Sequence, residues 1–120
     1  MATEISPRVE NGVLKWYEGD AFFVRFGLVI NKQTGEELVI GESDKVVVTF
    51  YDSYCRKIVA IDVPVSNGKT LPVHIDSRRS KLFPVGNYHY DVELHRNNSE
   101  TIQTIAHCCK VEVEGCKCRQ

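Results

Sequence analysis

Polar side chains, most of them ionisable, occupy every second position of one short stretch of this chain, residues 86–94, which reads G-N-Y-H-Y-D-V-E-L. Continued by one residue, its polar positions are His89, Asp91, Glu93 and His95. Tyrosine, valine and leucine fill the positions between them, so a strand here would have one ionisable face and one apolar face. Imidazoles and carboxylates are the groups that bind metal ions and carry out acid–base catalysis. This stretch therefore predicts either a functional site or the solvent-facing surface of a sheet.

Spacing favours the solvent-facing surface. His89 and His95 are six residues apart, which is about 20 Å along a strand and too far for two ligands of one ion. A zinc ion shared with His107 or Cys108 from a neighbouring strand is one alternative. A hydrolase or carbohydrate-binding sandwich that uses the face from His89 to His95 is another.

Cysteines are the second group with reactive chemistry. There are five of them: Cys55, Cys108, Cys109, Cys116 and Cys118. Neighbouring residues of a strand point to opposite faces, so we expect Cys109 inside, Cys108 outside, and His107 on the face opposite Cys108. The C-C and C-x-C spacings differ from the C-x₂₋₄-C spacing of structural zinc sites. Free thiols are therefore the favoured interpretation, and a metal- or thiol-dependent site on Cys108, Cys116 and Cys118 is the alternative.

Length, composition and charge exclude several classes of function. The chain has 120 residues, 42% of them hydrophobic, and a formal net charge of −1, which suits one domain and gives no electrostatic reason for a nucleic-acid or membrane partner. No Gly-rich phosphate loop, G-x-S-x-G elbow or H-E-x-x-H helix occurs. We therefore expect no enzyme activity and no cofactor. The N-terminus lacks the pattern of a secretion signal, so we expect a location in the bacterial cytoplasm or in an assembled particle.

Strand patterns dominate the elements that would position these residues. About seven short strands are predicted, at residues 20–30, 38–40, 44–51, 58–63, 71–75, 88–94 and 102–113. Turns are expected at residues 31–36, 66–68 and 97–99, and a single helical turn at 77–81. Pro72 indicates that its strand lies at a sheet edge. We predict an all-β, antiparallel immunoglobulin-like β-sandwich over residues 12–114 of a single domain, 1–120, with a loose N-terminal arm at 1–10 and a Cys-rich tail at 115–120.

The order of the motifs resembles a known family. K-W-Y-E-G-D-A-F-F-V-R-F at 15–26 and G-E-E-L at 35–38 precede the strand V-V-V-T-F. S-K-L-F-P-V-G-N-Y-H-Y-D-V-E-L at 80–94 is followed by K-V-E-V at 110–113. This order resembles the immunoglobulin-like domain at the N-terminus of phage baseplate upper proteins, and related domains of phage and prophage tail proteins. The resemblance implies a non-enzymatic assembly or host-contact module whose partners are other virion proteins or a second copy of itself.

Aromatic and basic side chains are the candidates for such contacts. They are Trp16, Tyr17, Phe23, Tyr51, Tyr54, Arg78 and Arg79. Several of these aromatics on one surface would form an apolar patch of the kind that marks an interface. Trp16 has a second interpretation, a place between the two sheets. Tyr88 or Tyr90 could form a tyrosine corner, in which the hydroxyl bonds to an upstream backbone group, or both could be half-buried aromatics.

Overall fold

The fold is an all-β sandwich, as the sequence predicts. A computed structural model of the chain describes residues 7–26, 44–63, 71–96 and 101–115. The elements in these ranges are β1 (Arg8–Glu10), β2 (Val13–Tyr17), β3 (Phe22–Phe26), β4 (Lys45–Asp52), β5 (Lys57–Val63), β6 (Leu71–Ile75), α1 (Ser77–Ser80), β7 (Gly86–Arg96) and β8 (Thr101–Glu114). No helix within these ranges is long and apolar enough to cross a membrane.

The described strands form two sheets. One has six strands in the order β1-β2-β8-β7-β4-β5, and the other pairs β3 with β6. Every pair is antiparallel except β2 with β8, which run parallel from Leu14↔Val111 to Tyr17↔Glu114. The larger sheet is therefore mixed, which corrects the expectation of a purely antiparallel sandwich. In the described part of the chain β6 pairs with β3 alone, in keeping with the edge position that Pro72 predicts.

Alternating apolar positions of the six-stranded sheet form the core against the small sheet. On β7 and β4 the buried positions include Val92, Leu94, Val46, Val48 and Phe50. At the centre lies a group of four rings, the aromatic hub: Trp16, Phe22, Phe50 and Phe83. Trp16 is 0% exposed and its ring centroid lies 4.9 Å from that of Phe22 on the small sheet. This contact joins the two sheets.

Two strands near the N-terminus differ from the sequence prediction. Arg8–Glu10 forms β1, where a loose arm was expected, and Val13–Tyr17 forms β2, where no strand was expected. Asn11 and Gly12, with φ of 54° and 79°, turn the chain between them. Left-handed backbone at both central residues of a two-residue turn is typical of a type I′ hairpin. Strands β1 and β2 therefore form a tight hairpin, and β2 contributes Leu14 and Trp16 to the core.

Several predictions fall outside the described residues. They are the end of the strand at 20–30, the strand at 38–40, the turns at 31–36, 66–68 and 97–99, the first six residues of the arm, and residues 116–120 of the tail. The predicted helical turn is present as α1, where the side chain of Asp76 accepts a hydrogen bond from the backbone N–H of Arg79 at 2.8 Å. That bond satisfies one of the N–H groups that a helix start leaves without an intrahelical partner.

Candidate functional site

The predicted ionisable face of β7 is confirmed, and its acids are paired with histidines. His95 Nε2 lies 3.0 Å from Glu93 Oε1, and His107 Nδ1 on β8 lies 3.2 Å from Asp91 Oδ1. The His89 ring stacks on Tyr51 of β4, with centroids 5.3 Å apart and planes at 15°. These contacts divide the face into separate pairs. Within the described ranges, no group of three or more His, Cys, Asp or Glu side chains is placed to hold a metal ion.

A bulge in β8 corrects the prediction for His107 and Cys108. Tyr90 is paired with Cys109 and Val92 with Ala106, so two residues of β8 lie opposite Asp91 alone. Cys108 adopts a left-handed φ of 56°, and its backbone N–H donates to Asp91 Oδ1 at 2.7 Å. The extra residue breaks the alternation of the strand. As a result, His107 and Cys108 both lie on the outer face, where opposite faces were expected.

One of the three described thiols, that of Cys109, lacks the environment of a reactive cysteine. Cys55 and Cys108 are exposed and Cys109 is half-buried, each of them free. Burial raises the pKa of the Cys109 thiol, whereas a nucleophilic cysteine needs a lowered pKa. Cys116 and Cys118, the other members of the alternative metal or thiol site, lie outside the described residues.

The turn between β4 and β5 displays an aromatic side chain on a hydrogen-bonded frame. Asp52 Oδ1 accepts from the backbone N–H groups of Tyr54 at 2.8 Å and Arg56 at 2.9 Å, and its Oδ2 accepts from Arg56 Nε at 2.9 Å. These bonds, with that from the Arg56 backbone the strongest, hold the pKa of Asp52 below its ordinary value. Tyr54 is 79% exposed, and the Arg56 guanidinium lies 5.3 Å from its ring centroid. We call this arrangement the Tyr54 turn.

A second exposed aromatic lies on the small sheet. Phe23 of β3 is 61% exposed and stacks on His74, its partner on β6, with centroids 4.3 Å apart and planes at 10°. The Arg79 side chain donates to the backbone carbonyl of His74 at 2.9 Å. Arg78 is also exposed on α1. The result is a flat, partly apolar surface beside basic side chains.

The structure separates the predicted contact residues into exposed and covered ones. Trp16 is corrected: it is fully buried between the sheets and offers no surface to a partner. Tyr17 is half-buried, with the Arg8 guanidinium 5.9 Å from its ring centroid. Tyr51 is half-buried against His89. The exposed members are therefore Phe23, Tyr54 and Arg78.

Sequence reasoning missed the partners of these aromatics and several exposed aliphatic side chains. The exposed aliphatic side chains that it missed include those of Val9, Leu82, Val85 and Ile102. His74 sits opposite Phe23 through the β3–β6 register, a pairing that no local pattern reveals. Arg56 could have been found, since the spacing D-S-Y-C-R after a β-branched strand indicates an Asp-capped turn.

No protein-family model matches this chain, and no curated protein sequence matches it. The likeness to baseplate immunoglobulin-like domains therefore depends on the motifs of the sequence itself.

Proposed function

We propose that this chain is a non-enzymatic association module, and that it serves as a tail or baseplate component of a phage or prophage virion. The observation that carries the proposal is the Tyr54 turn. A tyrosine and an arginine stacked on each other are the residue types that dominate binding energy at protein interfaces. Here they are exposed together on a frame that Asp52 holds in place.

A preformed turn favours binding for an energetic reason. Ordering a flexible side chain or loop at an interface costs about 0.5–1.5 kcal/mol per side chain. Two hydrogen bonds from backbone N–H groups to Asp52 fix the backbone of the turn before a partner arrives, and a third holds the Arg56 side chain. Tyrosine adds a large contact area with few rotatable bonds. The surface of Phe23 and His74 is a second preformed contact area, independent of the first.

The virion part of the proposal is supported by the order of motifs given above. The all-β sandwich is the architecture that the resemblance implies. Burial raises the pKa of the Cys109 thiol, which disfavours this cysteine as a nucleophile.

The association is tested by light-scattering mass after size exclusion, with and without EDTA and reductant. We expect a defined oligomer that neither reagent changes. In Tyr54→Ala we expect a dissociation constant at least about tenfold higher, as at interface hot spots. Ile102→Ala is the matched control, because Ile102 is also exposed (55%) and lies on β8 away from the turn. Equal effects of the two variants, or a wild-type oligomer that dissociates with EDTA or reductant, would contradict the Tyr54 interface.

The virion role needs a separate measurement. Particles released after prophage induction of the source organism are purified on a density gradient and analysed by quantitative mass spectrometry. We expect this chain in the particle fraction at a fixed ratio to a tail protein. Its absence from particles, in cells that make it, would leave an association module without a virion role.

A further inference from the structure

An open groove lies on the outer face of the six-stranded sheet, with Ser53 of the turn between β4 and β5 at one side of it. Its volume is about 470 Å³, and strands β2, β7 and β8 form most of its lining. This volume lies within the range of small-molecule sites. Val13 and the exposed Cys108 supply apolar lining, while Asn87, His89 and Lys110 supply hydrogen-bond donors. An apolar groove with a few convergent donors is the usual form of a ligand site.

Lys110 differs from the other basic side chains near this groove in its charge pairing. Arg8 pairs with Glu10 and Glu114, and Lys15 pairs with Glu10 and Glu112 at 3.2 and 3.4 Å. Lys110, by contrast, has no carboxylate partner among the described residues. An exposed ammonium group with no counter-charge attracts an anion, and the attraction is strengthened beside low-dielectric walls.

The neighbour of Lys110 adds a second donor. His89 lies directly opposite Lys110 on the adjacent strand, and side chains in such a cross-strand pair have Cβ atoms about 5 Å apart. The His89 ring is already held by its stacking on Tyr51. An imidazole N–H and an ammonium group at this separation can bind the two oxygens of one carboxylate.

We propose that this groove binds a small carboxylic acid with an apolar body. Lys110 and His89 hold the carboxylate, and the walls near Val13 and Cys108 contact the apolar part. The acid that lines the groove, Glu112, pairs with Lys15 at 3.4 Å and lies opposite Asn87, two register pairs from His89 and Lys110. The Tyr88–Val111 pair therefore separates Glu112 from the proposed carboxylate site, and Lys15 reduces its repulsion of the ligand.

The test is an NMR titration of the ¹⁵N-labelled full chain with phenylacetate and, in parallel, with the uncharged phenylacetamide. We expect saturable shifts at the backbone amides of residues 87–89 and 110–112 with phenylacetate, and clearly weaker binding of the amide. Raising the salt concentration weakens the interaction of exposed charges, so it should lower the affinity for phenylacetate alone. No saturable shift at these amides, or equal affinity for the two compounds, overturns the proposal.

Two lysine variants identify the group that holds the carboxylate. Lys110→Met keeps the apolar stem and removes the charge, and we expect at least about a fivefold loss of affinity for phenylacetate. Lys57→Met is the matched control, since Lys57 is an exposed lysine of β5 that does not line the groove. Unchanged binding by Lys110→Met, or an equal loss in both variants, contradicts the role of Lys110.

Discussion

At the scale of single residues, the hydroxyl of Tyr88 connects the start of β7 to the segment that precedes it. It donates to the backbone carbonyl of Pro84, which is the bond of a tyrosine corner. Burial raises the pKa of the Tyr88 hydroxyl, so it stays protonated as the donor. The Tyr88 ring also packs edge-on against Phe83 of the aromatic hub, at 5.2 Å between centroids. One side chain therefore fixes the entry of the strand and contacts the core.

Tyr88→Phe removes this hydrogen bond and keeps the ring. We expect a loss of about 0.5–1.5 kcal/mol in the free energy of unfolding, the usual net value of one such bond. Chemical denaturation followed by circular dichroism measures it. Tyr54→Phe is the control, because the exposed Tyr54 hydroxyl has no described hydrogen bond to lose and should change stability by under about 0.5 kcal/mol. Equal stability of Tyr88→Phe and wild type would show that the hydrogen bond from Tyr88 to Pro84 does not stabilise the fold.

A local sequence pattern can assign some side chains to a face of the sheet, but not all of them. The sequence pattern leaves Tyr88 and Tyr90 as the two candidates for the tyrosine corner. Only the three-dimensional position of Pro84 decides between them. Alternation placed Cys109 inward correctly, and it failed for His107 because the bulge adds a residue opposite Asp91. A bulge depends on the partner strand and leaves no mark in the local pattern.

At the scale of elements, the Tyr54 turn depends on the charge of one carboxylate. Hydrogen bonds from Arg56 and Tyr54 hold the pKa of Asp52 below its ordinary value, which is about 3.9 in an unfolded chain. A lowered folded-state pKa means that ionised Asp52 stabilises the fold fully above that ordinary value. This stabilisation is lost as the pH falls through the lower, folded-state pKa.

Asp52→Ala should therefore have a lower melting temperature than wild type near neutral pH, and the difference should narrow in acid. Melting curves from neutral pH to about one unit below the ordinary carboxyl pKa measure it. Asp62→Asn serves as the control, since Asp62 is exposed on β5 and its nearest cation, Lys45 Nζ, is 3.9 Å away. A difference between Asp52→Ala and wild type that stays constant with pH would show that the turn does not need the charge.

Long alternating elements were predictable, and short ones were not. β7 alternates over its whole length, so its two faces could be assigned from the sequence alone. β2 has five residues, and its outward positions include Val13 and Tyr17, so apolar residues on both faces hide the period. β1 has three residues and is held by Arg8, Glu10 and Glu114. The Asn11–Gly12 turn is a local hairpin signal, whereas the pairing of β2 with β8 joins distant ends of the chain and leaves no local pattern.

At the scale of the whole molecule, the aromatic hub joins elements that are distant in sequence. Phe83 comes from the connection between α1 and β7, and its ring lies 5.4 Å from both Trp16 of β2 and Phe50 of β4, centroid to centroid. Trp16 in turn contacts Phe22 of the small sheet. The six-stranded sheet, the α1 connection and the small sheet therefore share one packed centre, and we expect them to unfold together.

Phe83→Ala tests this arrangement, because it empties a fully buried site at the centre of the hub. The cost of such a truncation is about 3–5 kcal/mol, from lost transfer free energy and the cavity left behind. Trp16 is the single tryptophan of the chain, so its fluorescence reports the hub during denaturation while circular dichroism reports the sheets.

The matched control is Phe23→Ala, the same substitution at a site 61% exposed, which should cost about 1 kcal/mol or less. Coincident transitions by the two probes, with a large loss only for Phe83→Ala, are expected if the hub couples the sheets. Separate transitions in the wild-type protein, or equal losses in the two variants, would mean that the sheets are stabilised independently of these rings.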